Sequence, residues 1–188
     1  MCIRDSIKTD NLEIERSWMK QMYHTPMVKL DKKYANKGIP LNEYFRFAYH
    51  RNPWDRMVSS WIDFTSDRGH LTDWAGELQD TFKTFENFVL NFRHTKWRHD
   101  IHFQPTTYYT HHFGDQQIVS YVAMYHRWHA DTTHIFQKLN MKIEHLPQRK
   151  YRQTKRDPDY RKYYTSDKMI EEVHRWFHRD ITQFGDKF

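Results

Sequence analysis

The sequence predicts an α/β layered domain in which a mostly parallel sheet is flanked by helices. Three observations carry that prediction. Tyr44 to His50 is rich in aromatic residues and follows the breaker Gly38-Ile39-Pro40, so it reads as a buried strand. Directly after it, Trp54, Met57, Val58, Trp61 and Ile62 recur at helical spacing, with Arg56, Ser59, Ser60 and Asp63 on the opposite face. Further along, Ile118 to Tyr125 reads as a second strand and Asp131 to Leu139 as a helix, so strand and helix alternate.

The remaining elements follow from local chemistry. Residues 11–23, NLEIERSWMKQMY, form a predicted helix with Leu12, Met19 and Met22 on one side, ending near His24-Thr25-Pro26. The helix after the first strand has a legible start. Asn52 is a good N-cap, Pro53 suits the first helical position, and Asp55 stands where a capping side chain reaches back. Thr84-Phe85-Glu86 opens another helix that runs through Phe92. Trp97 to Gly114 is a loop dense in His and Tyr, and Pro147 to Pro158 is a polar, basic loop. The last helix, Thr165 to Phe184, buries a stripe of Met169, Ile170, Val173, Trp176, Phe177, Ile181 and Phe184. Two strands are few for such a sheet, and the opening MCIRDS does not resemble the start of a folded domain. Residues 1–10 are therefore read as a non-native leader, and 11–188 as a single, partial domain that begins further upstream.

Bulk composition narrows the function classes. A chain of 188 residues has room for one domain with a sizeable core. Aromatic residues make up 17% of it against a hydrophobic total of 38%, so the core is expected to be built from Trp, Tyr and Phe. A formal charge of +6 favours an anionic partner: a nucleotide, a nucleic acid, a sulfated or uronic polysaccharide, or a membrane surface. Cys2 is the only cysteine, which excludes a disulfide-stapled module and makes a reducing, cytoplasmic setting the expectation. No apolar stretch approaches the roughly 20 residues of a membrane span.

The stretch FRFAYHRNPWDRMVSSW, residues 45–61, carries the chemistry. Arg51 stands at the carboxyl end of the predicted strand, where open α/β sheets bind ligands. The helix start that follows offers backbone N–H groups and a partial positive charge, both suited to a phosphate. Arg51 adds a planar fork for phosphate oxygens, Ser59 a hydroxyl two turns along, and Arg56 shares the polar face of Ser59 at i+3 spacing. These residues alone describe an anion site.

Arg51-Asn52-Pro53-Trp54-Asp55-Arg56-Met57-Val58-Ser59 resembles the 3′-phosphate-binding motif of sulfotransferases, specifically the carbohydrate-directed group called sulfotransferase family 2. The resemblance implies a P-loop NTPase-like sulfotransferase fold and 3′-phosphoadenosine-5′-phosphosulfate (PAPS) as co-substrate. It places the 3′-phosphate on Arg51 and Ser59. Residues 102–109, HFQPTTYY, look like the family's His-x-x-Pro-Gln loop, with Thr106 where Gln is usual. Residues 119–128, VSYVAMYHRW, occupy the place of a family strand, and Met124 stands where that strand carries an arginine. The tail from Asp159 resembles the family's closing segment, with Tyr163-Tyr164-Thr165 before the last helix and Asp180 through Gly185 at its end. Thr154-Lys155-Arg156 lies where related enzymes close over the nucleotide, which makes Lys155 a further nucleotide-binding candidate. The family's N-terminal phosphate loop, with its lysine and glycines, has no counterpart among these residues, so the chain is read as N-terminally truncated, and an inactive sulfotransferase fragment is an alternative reading.

By the same resemblance the reaction transfers a sulfuryl group to a hydroxyl, with a carbohydrate as the expected acceptor. A general base has to take the acceptor's proton. His24, before Thr25-Pro26, resembles a recurrent family histidine and is the candidate, with His102 a second. Two rival readings stand beside this one. His174 and His178 at i+4 spacing, and the loop cluster His94, His99 and His102, invite a metal, but no His-Glu-x-x-His pattern supports it and no metal is expected. Residues 148–156, QRKYRQTKR, mix cations with an aromatic as polyanion-binding patches do; such a binder would lack enzymatic activity. Nucleic acid is not the expected partner, and no membrane segment is expected.

Overall fold

The computed structural model describes residues 25–65, 74–112, 115–142 and 156–188. In chain order the elements are α1 (Met27–Ala35), β1 (Phe47–His50), α2 (Pro53–Thr65), α3 (Trp74–Phe82), α4 (Phe85–Asn91), α5 (Thr106–Thr110), β2 (Tyr121–Met124), α6 (Trp128–Lys138) and α7 (Asp167–Phe184). Short 3₁₀ turns lie between several of them. Contacts divide the chain into two compact units, residues 1–50 with 106–150 and residues 51–105 with 151–188. The predicted helix over residues 11–23, and His24 after it, lie outside the described residues.

In the first unit β1 and β2 pair in parallel, with Phe47 opposite Tyr121 and His50 opposite Met124. A mixed helix and sheet architecture with a parallel pair is what strand-helix alternation leads to. Both strands are shorter than predicted. Arg46 supplies the reason at one end: its carbonyl accepts from the N–H groups of Ser120 and Tyr121, and its own N–H donates to Ser120 Oγ, so the ladder closes there. Helix α1 was not anticipated. Its apolar positions Met27, Leu30 and Tyr34 do keep helical spacing, but four lysines among and just beyond them mask the stripe. Those three residues form a small core with Val119, packed against Ile39, Leu41, Ile118 and Val122.

Helix α6 is fastened to β2 by a buried carboxylate. Asp131, 2% exposed, accepts from Met124 N–H at 2.6 Å and from the Arg127 guanidinium at 2.7 Å. Burial pushes the carboxyl up, but hydrogen bonds from Arg127, Met124 and Tyr121 together outweigh it and hold Asp131 below the usual carboxylate range. Tyr49 stacks on Trp128 with ring centroids 4.7 Å apart, and its hydroxyl pairs with Thr132 at 2.8 Å. At the end of β1, the buried His50 pairs through Nδ1 with Thr106 Oγ1 at 3.0 Å.

The second unit holds the larger core, and it is aromatic as composition predicts. Trp54, Phe64, Phe82, Phe88, Phe92, Trp97, Phe103 and Phe177 are buried together with Met57, Leu78, Met169 and Val173. Phe88 is at the centre, with its ring centroid 5.2–5.5 Å from those of Trp61, Phe82, Phe92 and Phe103. Helix α3, also unanticipated, contributes Leu78 and Phe82 to this core. Two tryptophans reach carbonyls: Trp54 Nε1 donates to Ile170 O and Trp176 Nε1 to Phe103 O, each at 3.1 Å. Helix α4 starts as predicted, with Thr84 Oγ1 accepting from Asn87 N–H at 3.2 Å. Helix α7 ends on Gly185, whose φ of 68° is the left-handed conformation that suits glycine at this position. Among the described residues no helix is long and apolar enough to cross a membrane.

Candidate anion site on helix α2

Asn52 starts helix α2 as the sequence predicts. Its Oδ1 accepts from the N–H groups of Trp54 and Asp55 at 3.1 and 3.3 Å, and its carbonyl accepts from Arg56 N–H. This cap has a consequence for the site. The N–H groups expected to face a phosphate are spent on Asn52, and Pro53 has none. The donors left to a candidate anion site are therefore side chains and not the N–H groups of the first turn. Asn52 is itself held, donating through Nδ2 to Lys187 O at 2.9 Å. The Tyr164 hydroxyl donates to Trp54 O at 3.0 Å. Phe188 packs edge-on against Trp54 and Tyr164. The chain's closing segment is thus a buttress for the first turn of α2.

Asp55 does not reach back as a cap. It lies one turn inside the helix from Arg51 and accepts from Arg51 Nε through Oδ2 at 2.5 Å. Its other oxygen, Oδ1, accepts from Arg156 Nη2. The side chains of Arg51, Asp55 and Arg156 are 18%, 17% and 13% exposed. Two guanidiniums therefore meet on one carboxylate at a nearly buried position. Arg156 records the strain of that meeting: burial first, and then the Arg51 charge, lower it to about 10, while Tyr163 and Tyr164 act in the opposite sense. Arg156 Nε is buried with no hydrogen-bond partner among the described residues. The next residue fixes the backbone, since Asp157 N–H donates to the Tyr163 hydroxyl at 3.0 Å and Asp157 pairs with Lys162 at 2.8 Å.

Ser59 follows Asp55 at i+4, so the two share one face of α2 about 6 Å apart along the axis. Its hydroxyl has no hydrogen-bond partner among the described residues. Arg51 and Arg156 thus meet at Asp55, and Ser59 stands one turn further along α2. Arg56 is employed differently. Its Nε and Nη2 donate to His102 O at 3.2 and 2.9 Å, and its guanidinium lies 5.7 Å from the centre of the Phe177 ring. It fastens α2 to the turn at residues 101–103. On that turn Asp100 Oδ1 accepts from His102 N–H at 2.9 Å and pairs with His102 Nδ1 at 2.7 Å.

Of the residues picked out from the sequence, Arg51, Ser59, Arg56 and His102 are described and belong to one unit; His24 and Lys155 lie outside the described residues. Sequence reasoning missed two members of this charged cluster. Arg156 was one position away from the residue chosen, and a charge count along a basic loop has no means of telling which cation turns inward. Asp55 was read as a cap, although its i+4 spacing from Arg51 was a signal for an ion pair. His174 and His178 stand exposed on α7, and no group of three or more His, Cys, Asp or Glu among the described residues is arranged to hold a metal.

Comparison with known proteins gives one match. A model of the sulfotransferase family matches residues 2–185. No curated protein and no solved structure matches the chain.

Proposed function

The chain belongs to the sulfotransferase family, and from that premise we propose that it binds PAPS and directs a sulfuryl group to a hydroxyl, with a carbohydrate as acceptor. The observation that carries this reading is the meeting of Arg51 and Arg156 on Asp55, one helical turn before Ser59. The 3′-phosphate of the nucleotide is a compact dianion, and these residues fit it. Two forks supply donors in the planar arrangement that phosphate oxygens accept. Arg156 brings a buried Nε that has no protein partner among the described residues; burial first and the Arg51 charge second lower its basicity, and a dianion would offset the second of these.

PAPS supplies the activated sulfuryl group; the protein's part is positioning and charge stabilisation, as in phosphoryl transfer. Arg51, Arg156 and Ser59 hold the 3′-phosphate, with Lys155 beside them. Arg56 keeps the 101–103 turn against α2. Proton acceptance from the hydroxyl falls to a histidine, His24 by family resemblance or His102 by its pairing with Asp100. With His102 Nδ1 donating to that carboxylate, Nε2 is the accepting nitrogen. Cytoplasmic placement accords with the single cysteine.

Calorimetric titration with adenosine 3′,5′-bisphosphate tests this proposal. Stoichiometric binding is expected, with Arg51→Ala weakening it by about tenfold or more, the scale of a lost charge-assisted hydrogen bond. A salt-sensitive affinity for any polyanion, indifferent to the nucleotide and to Arg51, would instead identify a non-enzymatic polyanion binder.

A further inference from the structure

We propose that Asp55 is the positioning residue of the phosphate site: it gathers Arg51 and Arg156 into one receptor for the nucleotide's 3′-phosphate. This rests on the reading of the site given above and adds a specific dependence to it. The geometry is directional. Asp55 takes Arg51 by Nε and Arg156 by Nη2, using a different carboxylate oxygen for each. A guanidinium gripped at Nε by a carboxylate four residues on has its plane set by that contact, so its Nη end is aimed in advance. Arg156 comes from a segment more than a hundred residues away in sequence, so only a tertiary contact brings it beside Arg51.

Electrostatics requires such a residue. Two guanidiniums at a largely buried site repel each other, and the Arg51 charge adds to burial in lowering Arg156. One carboxylate between them offsets part of the repulsion before any ligand arrives. Without it, Arg156 gains by leaving for solvent. The site would then have to recruit that cation on binding, at the cost of ordering a long side chain. Removing Asp55 also removes a negative charge from the approach of an anion, and taken alone this would tighten binding. The proposal is that preorganisation outweighs that gain.

The test compares adenosine 3′,5′-bisphosphate with adenosine 5′-monophosphate, which lacks the 3′-phosphate, on the wild-type chain and on Asp55→Asn and Asp55→Glu. Thermal unfolding of each variant is recorded alongside. Asp55→Asn is expected to weaken the bisphosphate by about tenfold while leaving the monophosphate unchanged, and Asp55→Glu to recover part of the loss. In an Arg156→Gln background the Asp55→Asn change is expected to cost less than in the wild type, because only the Arg51 contact is left to lose. Equal weakening of both nucleotides would make Asp55 merely structural, and unchanged or tighter bisphosphate binding would make it a competitor; either overturns the proposal. Should Asp55→Asn fail to fold, Asp55→Glu and Arg156→Gln decide: an additive double mutant would overturn it. A wild-type chain that does not prefer the bisphosphate would instead refute the phosphate site itself.

Discussion

Arg156 is the residue whose chemistry is most exposed to experiment. It faces Arg51 just before α2, Asp55 within α2, and Tyr163 and Tyr164 on its own side, and burial with the Arg51 charge lowers it to about 10. A phosphate is held by the protonated form. Affinity for adenosine 3′,5′-bisphosphate is therefore expected to fall as pH rises through about 10, and Arg156→Gln is expected to remove that limb from a titration series. The linkage has the opposite sign for folding. A cation lowered in the folded state opposes folding while charged, so this residue's contribution to stability improves as pH climbs past about 10. Binding and folding thus draw in different directions on one guanidinium, as expected where a site is arranged for a ligand. Ser59 makes a smaller claim: Ser59→Ala is expected to cost about fivefold in affinity, the scale of one ordinary hydrogen bond.

Helices with strong local signals were legible in advance, and those without were not. Asn52-Pro53 announced α2 and Thr84 announced α4, because a cap is a statement about neighbouring residues. Thr84→Ala is expected to lower stability by about 1 kcal/mol in urea unfolding, the usual cost of a lost N-cap. Helices α1 and α3 carry short apolar stripes diluted by polar residues, and tertiary packing decides them: Leu78 and Phe82 acquire their meaning only against Phe88 and Trp97. The site divides the same way. Arg51 and Ser59 belong to one continuous motif and could be read, whereas Arg156 reaches Asp55 only through the fold. The expected role of the helix N-terminus failed for a local reason too: Asn52 uses the N–H groups a phosphate would have needed.

Across the whole molecule the aromatic composition proved informative. The second unit's core is a continuous set of ring contacts centred on Phe88, and the residues that shape the site are tied to it through Trp54, Tyr164 and Arg56. Phe88→Ala is expected to destabilise the fold by about 3–5 kcal/mol, the range for removing a buried aromatic ring, and chemical unfolding would measure it. The central claim is that Arg51 and Ser59 share one phosphate group. A crystal structure of the chain with adenosine 3′,5′-bisphosphate tests it most directly. The account predicts the 3′-phosphate within hydrogen-bonding distance of the Arg51 guanidinium and of Ser59 Oγ; a nucleotide seated elsewhere, with those two side chains untouched, would contradict it.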